Sequence, residues 1–275
     1  MPFGKPPRFD GRVLVAEDNP VNREVVLAML EPLGCQVTVA DDGQEALVAL
    51  AREPFDLVLM DCQMPVLDGF AATKAWRQQE VATGKRRVPI IALTADVIKG
   101  VRERCLEAGM DGYLSKPLEQ VQLVTALDRW LPAIGEVAAA PAVAPSAAAT
   151  PPATPSTALP ASPLDQRALD QIRAMQRPGS PDLLGKIIGL YLENSPGLLR
   201  QIRDAVAGQD GDALRQAAHS LKSSSASLGA TELAALCKAL EQRGRDRQLE
   251  DAAELLREME IHYARAREAL LGEMR

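Results

Sequence analysis

Two side chains that can carry a phosphoryl group lie far apart in this sequence. Asp61 ends the apolar run Leu57–Met60, and His219 lies between Ala218 and Ser220. A second apolar run, Val13–Ala16, ends in Glu17 and Asp18. Carboxylates and imidazoles both form covalent intermediates in group transfer. Asp61 and His219 are therefore the two candidate carriers.

The acidic residues also predict a metal site. Short apolar runs that end in acid predict buried parallel strands with carboxylates at their C-terminal tips, which is the edge of an open α/β sheet where ligands bind. Glu17, Asp18 and Asp61 would repel one another there unless a hard cation joins them. Mg²⁺ prefers oxygen ligands and keeps open positions for phosphate oxygens. We therefore expect Mg²⁺ as the cofactor of this cluster.

The elements that must position these residues follow from the hydrophobic pattern. In the first half, apolar runs alternate with amphipathic segments, and five such repeats predict a doubly wound five-stranded parallel sheet with right-handed crossovers. The predicted strands are Val13–Glu17, Val37–Ala40, Leu57–Asp61, Ile90–Thr94 and Gly112–Ser115. The predicted helices are Pro20–Leu33, Gly43–Arg52, Phe70–Gln79, Ile98–Ala108 and Leu118–Leu131. Gly34 and Gly109 lie where a helix end favours a left-handed residue.

The composition changes after Pro132, and three segments are predicted. Residues 10–132 form the α/β domain. Residues 133–163 are almost entirely Ala, Pro, Ser, Thr and Val, which predicts a flexible, disordered linker. Residues 164–275 show only helical patterns and predict an antiparallel helical bundle. Its predicted helices are Asp165–Met175, Pro181–Leu192, Pro196–Ala207, Asp210–Ser227, Thr231–Arg243 and Gln248–Leu271, with Ser180 and Ser195 as N-caps before prolines.

Composition excludes several classes of protein. Neither half has an excess of basic residues, the net charge is −6 and aromatic residues make up 3%, so nucleic-acid binding has no electrostatic or stacking support. The four cysteines are scattered without a Cys-x-x-Cys motif, which is typical of reduced thiols and predicts a cytoplasmic location. No apolar stretch reaches the length of a membrane helix, so no membrane segment is expected.

The first domain resembles the receiver domain of two-component signalling, whose fold is flavodoxin-like. The resemblance rests on motifs in a fixed order at strand ends: Glu17-Asp18, Asp61, Met64–Gly69, Thr94-Ala95 and Tyr113–Pro117. Asn22, in Asp18–Arg23, resembles the variant found in receivers attached to hybrid sensor histidine kinases, and residues 1–10 look like a connector from such an upstream portion.

The resemblance implies a role for each site residue. Asp61 is the phosphoacceptor, and Glu17, Asp18, Asp61 and the backbone carbonyl of Gln63 hold Mg²⁺. Lys116 places a compact positive charge on a phosphoryl oxygen. Thr94 donates its hydroxyl to another oxygen, and Tyr113 then repacks behind it, so Thr94 and Tyr113 form a switch. The Lys116–Pro117 peptide bond is implied to be cis. Cys62, beside Asp61, is expected to be packed because alternate strand residues face opposite ways.

The second domain resembles a histidine-containing phosphotransfer domain through the segment His219–Gly229. On a helix, Leu214, Ala218, Leu221, Ser225 and Leu228 share one face, and His219 points away from it. We expect an exposed imidazole flanked by the cations Arg215 and Lys222, with Ser223 as a low wall. The family commonly has glycine at the position of Ser223.

These features together predict a phosphorelay protein of signal transduction. Asp61 accepts a phosphoryl group from a histidine kinase in a Mg²⁺-dependent reaction and exchanges it with His219, which passes it to or from a further receiver. Because no glycine-rich ATP-binding motif is visible, the chain is expected to be a carrier that catalyses only its own aspartyl phosphorylation and dephosphorylation. The partners are a sensor histidine kinase, which could be fused upstream, and another response regulator.

Three rival functions remain. In the first, the receiver only switches partner affinity and the bundle is only a docking module. The second is a phosphatase on the same sheet, but the dehalogenase type places an acid two residues after the nucleophile, where this chain has Gln63. The third is a transcription factor, which the acidic second domain and the absence of a recognition helix disfavour.

Overall fold

The computed structural model describes residues 7–95, 101–134, 162–177 and 179–274. The predicted start of the helix at Ile98 and nearly all of the predicted linker lie outside these residues. Within them, an α/β domain is followed by a helical bundle, as the sequence predicts.

The first domain is a five-stranded parallel sheet with the strand order β3-β2-β4-β5-β6. These strands are β2 Arg12–Ala16, β3 Gln36–Ala40, β4 Leu57–Asp61, β5 Ile90–Thr94 and β6 Gly112–Ser115. The central strands β2, β4 and β5 are almost completely buried because helices cover both faces, which explains their continuous apolar runs. The predicted doubly wound fold is confirmed.

Five helices surround this sheet: α1 Pro20–Leu30, α2 Gly43–Arg52, α3 Gly69–Thr83, α4 Val101–Ala108 and α5 Gln120–Trp130. A short 3₁₀ turn, Glu31–Leu33, completes the segment predicted as the end of the first helix. Gly34 and Gly109 adopt positive φ of 84° and 92°, as predicted. The third helix extends four residues beyond the predicted Gln79 and ends at Gly84, which is left-handed.

Arg8 and Phe9 are part of the fold, although the sequence suggested that residues 1–10 are a connector that precedes the domain. The strand β1, Arg8–Phe9, pairs antiparallel with β7, Ala133–Ile134, and Phe9 is fully buried in the core. A two-residue strand has no recognisable period, so its position depends on tertiary contacts that the sequence pattern does not contain.

Five helices form the second domain: α6 Gln166–Ala174, α7 Leu183–Ala207, α8 Gly211–Ser227, α9 Thr231–Asp246 and α10 Ala252–Glu273. The prediction of separate helices on either side of Pro196 is wrong, since α7 continues through it. One buried stripe crosses the proline, formed by Ile188, Tyr191, Ser195, Leu199 and Ile202. Burial of this stripe outweighs the local cost of an interior proline.

The predicted caps of this region are also wrong. Asp182, and not Ser180, precedes α7, while Ser195 lies inside the helix and its hydroxyl is 3.0 Å from that of Tyr263. The predicted apolar face of α8 is confirmed, because Leu214, Ala218, Leu221, Ser225 and Leu228 are all completely buried.

The two domains contact each other through α1, which packs against α7 and α8. The contact lies at the beginning of α1, directly after Glu17 and Asp18. The C-terminal edge of the sheet therefore faces the helix that carries His219.

Candidate functional site

The three acidic residues meet at the C-terminal edge of the sheet. Glu17 and Asp18 follow β2, and Asp61 is the last residue of β4, the strand beside it. One carboxylate oxygen from each residue lies within 4.8 Å of the others. Glu17 and Asp61 are buried, and Asp18 is partly buried. The predicted cluster is therefore assembled by the sheet.

The cluster is under electrostatic strain. Burial, and then the charge of Asp61, raise the pKa of Glu17 to about 8. The same two causes raise the pKa of Asp18 to about 6, although nearby Lys116 and His219 act in the opposite direction. Raised carboxyl pKa values show that negative charge is disfavoured here. A divalent cation is the group that this set of donors fits.

Lys116 is the buried cation of the cluster. Its Nζ lies 2.6 Å from Asp61 Oδ2 and 2.6 Å from Glu17 Oε2. Burial opposes its charge, but the two carboxylates outweigh that effect and raise its pKa. The peptide bond from Lys116 to Pro117 is cis, as the resemblance implied, and it directly follows the end of β6.

The loop after Asp61 holds the acid from the other side. The Gln63 amide donates to Asp61 Oδ1 at 3.1 Å, and the Gly69 amide donates to the Cys62 carbonyl. A side chain at Gly69 would place a Cβ only 2.0 Å from the Asp61 carbonyl oxygen, so this close approach requires glycine. Cys62 is buried, as predicted.

Thr94 and Tyr113 occupy neighbouring strands. Thr94 ends β5 and is buried, whereas Tyr113, on β6, is 41% exposed. The register pairs Tyr113 with Ala92, two residues before Thr94, so both residues lie on the same face of their strands. The Tyr113 ring is therefore partly in contact with solvent.

The environment of His219 differs from the prediction of an exposed imidazole flanked by two free cations. His219 is only 5% exposed, because the α/β domain and α9 cover it. Lys222 is buried and bound to Glu241, with 2.5 Å between Nζ and Oε2. Ser223 is buried and does not leave an open approach. Helix periodicity correctly places His219 outside the bundle core. It carries no information about the α/β domain, which covers this face of the helix.

Glu241, on α9, was not predicted and is the principal partner of His219. Its Oε1 lies 3.1 Å from His219 Nδ1, and Arg245 also reaches this oxygen. Although burial acts against ionisation, the His219 and Lys222 contacts lower the pKa of Glu241 to about 2. Glu241 continues the buried i, i+4 series of Leu233 and Cys237. The sequence could therefore have indicated Glu241, because it is an acidic residue within an apolar stripe.

The two ring nitrogens of His219 have different environments. A carboxylate beside Nδ1 favours the tautomer with its proton on that atom, so the lone pair lies on Nε2. Nε2 is buried and has no hydrogen-bond partner among the described residues. An unpaired buried nitrogen is costly to maintain.

A cavity of about 830 Å³ between the domains is bordered by His219 on one side and by Cys62 and Gln63, the two residues after Asp61, on the other. Asp18, Gln63 and Thr94 line it from the sheet edge, and Arg215 and His219 line it from the bundle. Arg104, Arg245 and Arg247 also border it. The cavity is therefore lined by both acidic and basic groups and is large enough for a phosphoryl group and water.

Among the described residues, no helix has the length and apolar character that crossing a bilayer requires.

Family comparisons match both domains separately. The response regulator receiver domain family matches residues 13–128, and the Hpt domain family matches residues 186–269. The acidic cluster at the strand ends and His219 lie inside these two ranges.

Two curated relatives contain both regions. The sensor histidine kinase GacS of Pseudomonas protegens is 32% identical over 228 residues, which cover 82% of this chain and 23% of the relative. The signal transduction histidine-protein kinase BarA of Escherichia coli is 31% identical over 265 residues, or 94% of this chain and 27% of the relative. The chain thus spans about a quarter of the length of these relatives.

A solved structure resembles the first domain. The receiver domain of a sensor histidine kinase from Pseudomonas aeruginosa, with a magnesium ion coordinated in its active-site cleft, is 50% identical and covers 44% of this chain and 97% of that one, with a TM-score of 0.41. The two family matches and the relatives that contain both regions show that this chain belongs to the receiver and Hpt families of phosphorelay proteins.

Proposed function

We propose that this chain is a phosphorelay carrier in which Asp61 and His219 exchange a phosphoryl group. The observation that carries the proposal is the cavity between the domains, which His219 borders from one side and the sheet edge of Asp61 from the other. Carriers must approach within a few ångströms for in-line transfer. The contact between the two domains supports the proposal, because it brings the sheet edge and the helix of His219 together within one chain.

The transfer step follows from the tautomer of His219. The Nε2 lone pair attacks the phosphorus of the Asp61 acyl phosphate and forms the N–P bond. The bond between phosphorus and the Asp61 oxygen breaks, and its electron pair returns to the carboxylate. Glu241 holds the Nδ1 proton, so the positive charge that develops on the imidazole is stabilised. The reverse step uses the same groups.

Glu17, Asp18 and Asp61 would hold Mg²⁺, with the backbone carbonyl of Gln63 as a further ligand. The fit rests on three converging oxygens and on the raised pKa values of Glu17 and Asp18. When bound, Mg²⁺ offsets the charge that accumulates on phosphoryl oxygens during transfer.

The remaining site residues receive distinct roles. Lys116, already bound to Asp61, contacts a phosphoryl oxygen, and Thr94 donates its hydroxyl to another. Thr94 and Tyr113 act as the switch that reports phosphorylation to the surface. Around His219, Arg215 attracts the phosphoryl group. Lys222 positions the imidazole through its ion pair with Glu241, and Ser223 does so through its hydrogen bond to Asn22 of the receiver.

The partners follow from the chemistry. No ATP-binding motif is visible in the sequence, so a sensor histidine kinase must supply the phosphoryl group to Asp61, and a further receiver exchanges it with His219. Both relatives are named as histidine kinases, which supports the role of this chain as one part of such a system. We place this chemistry in the cytoplasm, and aspartyl phosphorylation and hydrolysis are catalysed by the receiver itself.

Metal binding is the first test. Asp18→Asn should weaken Mg²⁺ binding by more than about tenfold, because a unit charge near a cation contributes about 4 kcal/mol at an effective dielectric constant of 20. Wild-type affinity should also increase from pH 6 to pH 8, since protons compete for Glu17 and Asp18 below their raised pKa values. NMR titration with Mg²⁺ measures both effects.

Asp128→Asn provides the control, because Asp128 is exposed on α5 and its charge change is identical. Equal affinity in wild type and Asp18→Asn would contradict the metal-site assignment.

Labelled phosphate tests the relay. With a histidine kinase that phosphorylates Asp61, label should appear on aspartate and histidine in wild type, stop at aspartate in His219→Gln, and be absent from both residues in Asp61→Asn. The different acid and base stabilities of acyl phosphate and phosphohistidine identify each species. His262→Gln is the matched control, because His262 pairs with Glu232 on the bundle surface.

Full labelling of Asp61 in wild type without any phosphohistidine would refute the relay. It would favour the rival function, in which the bundle is only a docking module.

The switch predicts a change at the surface formed by α4, β6 and α5. A beryllofluoride mimic at Asp61 should draw the Thr94 hydroxyl inward and allow the Tyr113 ring to follow. NMR shifts of Tyr113 should change in wild type and remain unchanged in Thr94→Ala. If Tyr113 responds equally in both proteins, or in neither, Thr94 does not control it.

The Glu241 contact predicts an acid-sensitive stability. Because the folded pKa of Glu241, about 2, lies below its usual value of 4.5, its contribution of about 3 kcal/mol is complete above pH 4.5 and is lost as the pH falls toward 2. Glu241→Gln should lower stability at neutral pH and reduce the loss of stability between pH 5 and pH 2, measured by denaturant unfolding.

Glu232→Gln is the control, since Glu232 also lies 3.1 Å from a histidine nitrogen but is exposed. The same loss of stability in both variants would show that burial of Glu241 is not the cause.

A further inference from the structure

The beginning of α1 meets a row of hydroxyl and carbonyl groups on α8. The Asn19 side chain accepts from the Val21 amide at the helix start and donates to the Ser220 carbonyl at 2.9 Å. One turn later, Asn22 contacts Ser223 and Ser227. The segment that follows the metal cluster is therefore also the segment that touches the helix of His219.

Asn22 has a partner for each of its polar groups. Its Nδ2 donates to Glu17 Oε1 at 3.1 Å and to Ser223 Oγ at 2.7 Å. Its Oδ1 accepts from Ser227 Oγ at 3.0 Å. Asn22 and Ser223 are each only 4% exposed. One buried amide thus links a carboxylate of the acidic cluster with the bundle.

The Asn22–Ser223 bond differs from the other contacts in this group, because neither partner has an alternative among the described residues. Ser227 has an alternative, because its hydroxyl also donates to the Ser223 carbonyl within its own helix. Ser223 Oγ and the second Nδ2 hydrogen of Asn22 have only each other among the described contacts. Removal of one partner leaves the other buried and unsatisfied, which is more costly than removal of both.

We propose that Asn22 and Ser223 are a specificity pair by which this receiver selects its own phosphotransfer bundle. A bundle with a residue that lacks a hydroxyl at position 223 would leave the Asn22 amide unsatisfied. A receiver without Asn22 would leave the Ser223 hydroxyl without a hydrogen-bond partner. The occupant of the receiver surface is thus the α8 helix of this chain. Asn22 is a positioning residue, since it also orients Glu17, and this inference rests on the proposed relay.

The expected effect follows from the cost of an unpaired buried group, about 1–3 kcal/mol, which corresponds to about a 5- to 150-fold change in an equilibrium constant. Asn22→Ala and Ser223→Ala should each reduce docking by that factor. The double variant should recover much of the loss, because neither partner is then left unsatisfied.

A double-mutant cycle on the full chain tests the pair through two separate readouts. Hydrogen exchange at residues 19–23 and small-angle X-ray scattering measure the docked fraction without any phosphoryl chemistry. Rapid-quench labelling measures the rate of transfer from Asp61 to His219. Both readouts should fall in each single variant and partly recover in the double variant. Circular dichroism confirms that each variant is folded.

Lys186→Ala is the matched control at the same interface. Lys186 forms an exposed ion pair with Glu24, and such pairs contribute little to stability, so docking should change by no more than a few-fold. Unchanged docking in both single variants, or additive losses without recovery in the double variant, would overturn the specificity pair. If docking follows the cycle but no label reaches His219, the pair stands and the relay fails.

Discussion

The crowding of Glu17, Asp18 and Asp61 around one buried ammonium is the constraint on which the rest of this structure depends. Lys116 contacts two of these carboxylates, yet the pKa values of Glu17 and Asp18 remain raised. The parallel sheet maintains this arrangement because burial of β2, β4 and β5 fixes where the strands end. The packing of the sheet thus holds the three carboxylates close together. The residual negative charge favours a divalent cation and, through it, a phosphoryl group.

His219 shows the complementary solution in an all-helical domain. A single buried acid, Glu241, binds both His219 and Lys222, so it fixes the orientation of the imidazole, while Nε2 is buried without a hydrogen-bond partner among the described residues. The acid is itself stabilised by these contacts, as its lowered pKa indicates. The two sites therefore use buried carboxylates in opposite ways. Lys116 compensates the acidic cluster only in part, whereas Glu241 is compensated by both His219 and Lys222.

The sequence predicts the sheet, the positions of its strands, the acidic cluster and the candidate histidine, because each follows from a local hydrophobic period or from the end of an apolar run. It does not predict Phe9 as a core residue or α7 as one helix across Pro196, since both depend on burial against distant elements. Glu241 could have been recognised as an acid in the stripe of Leu233 and Cys237. The burial of His219 could not have been recognised, because part of the surface that covers it comes from the α/β domain. The contacts of Asn19, Asn22 and Ser223 could not have been predicted either, because they join residues that are far apart in the sequence.

The central claim is that Asp61 and His219 are partners within one molecule, connected through the contact of α1 with α8. The most direct measurement is the first-order rate of phosphohistidine formation after rapid phosphorylation of Asp61, recorded over a wide range of protein concentration. Transfer within a docked chain predicts a rate that does not depend on protein concentration. A rate that increases in proportion to concentration would contradict the account, because it would show that His219 receives its phosphoryl group from a different molecule.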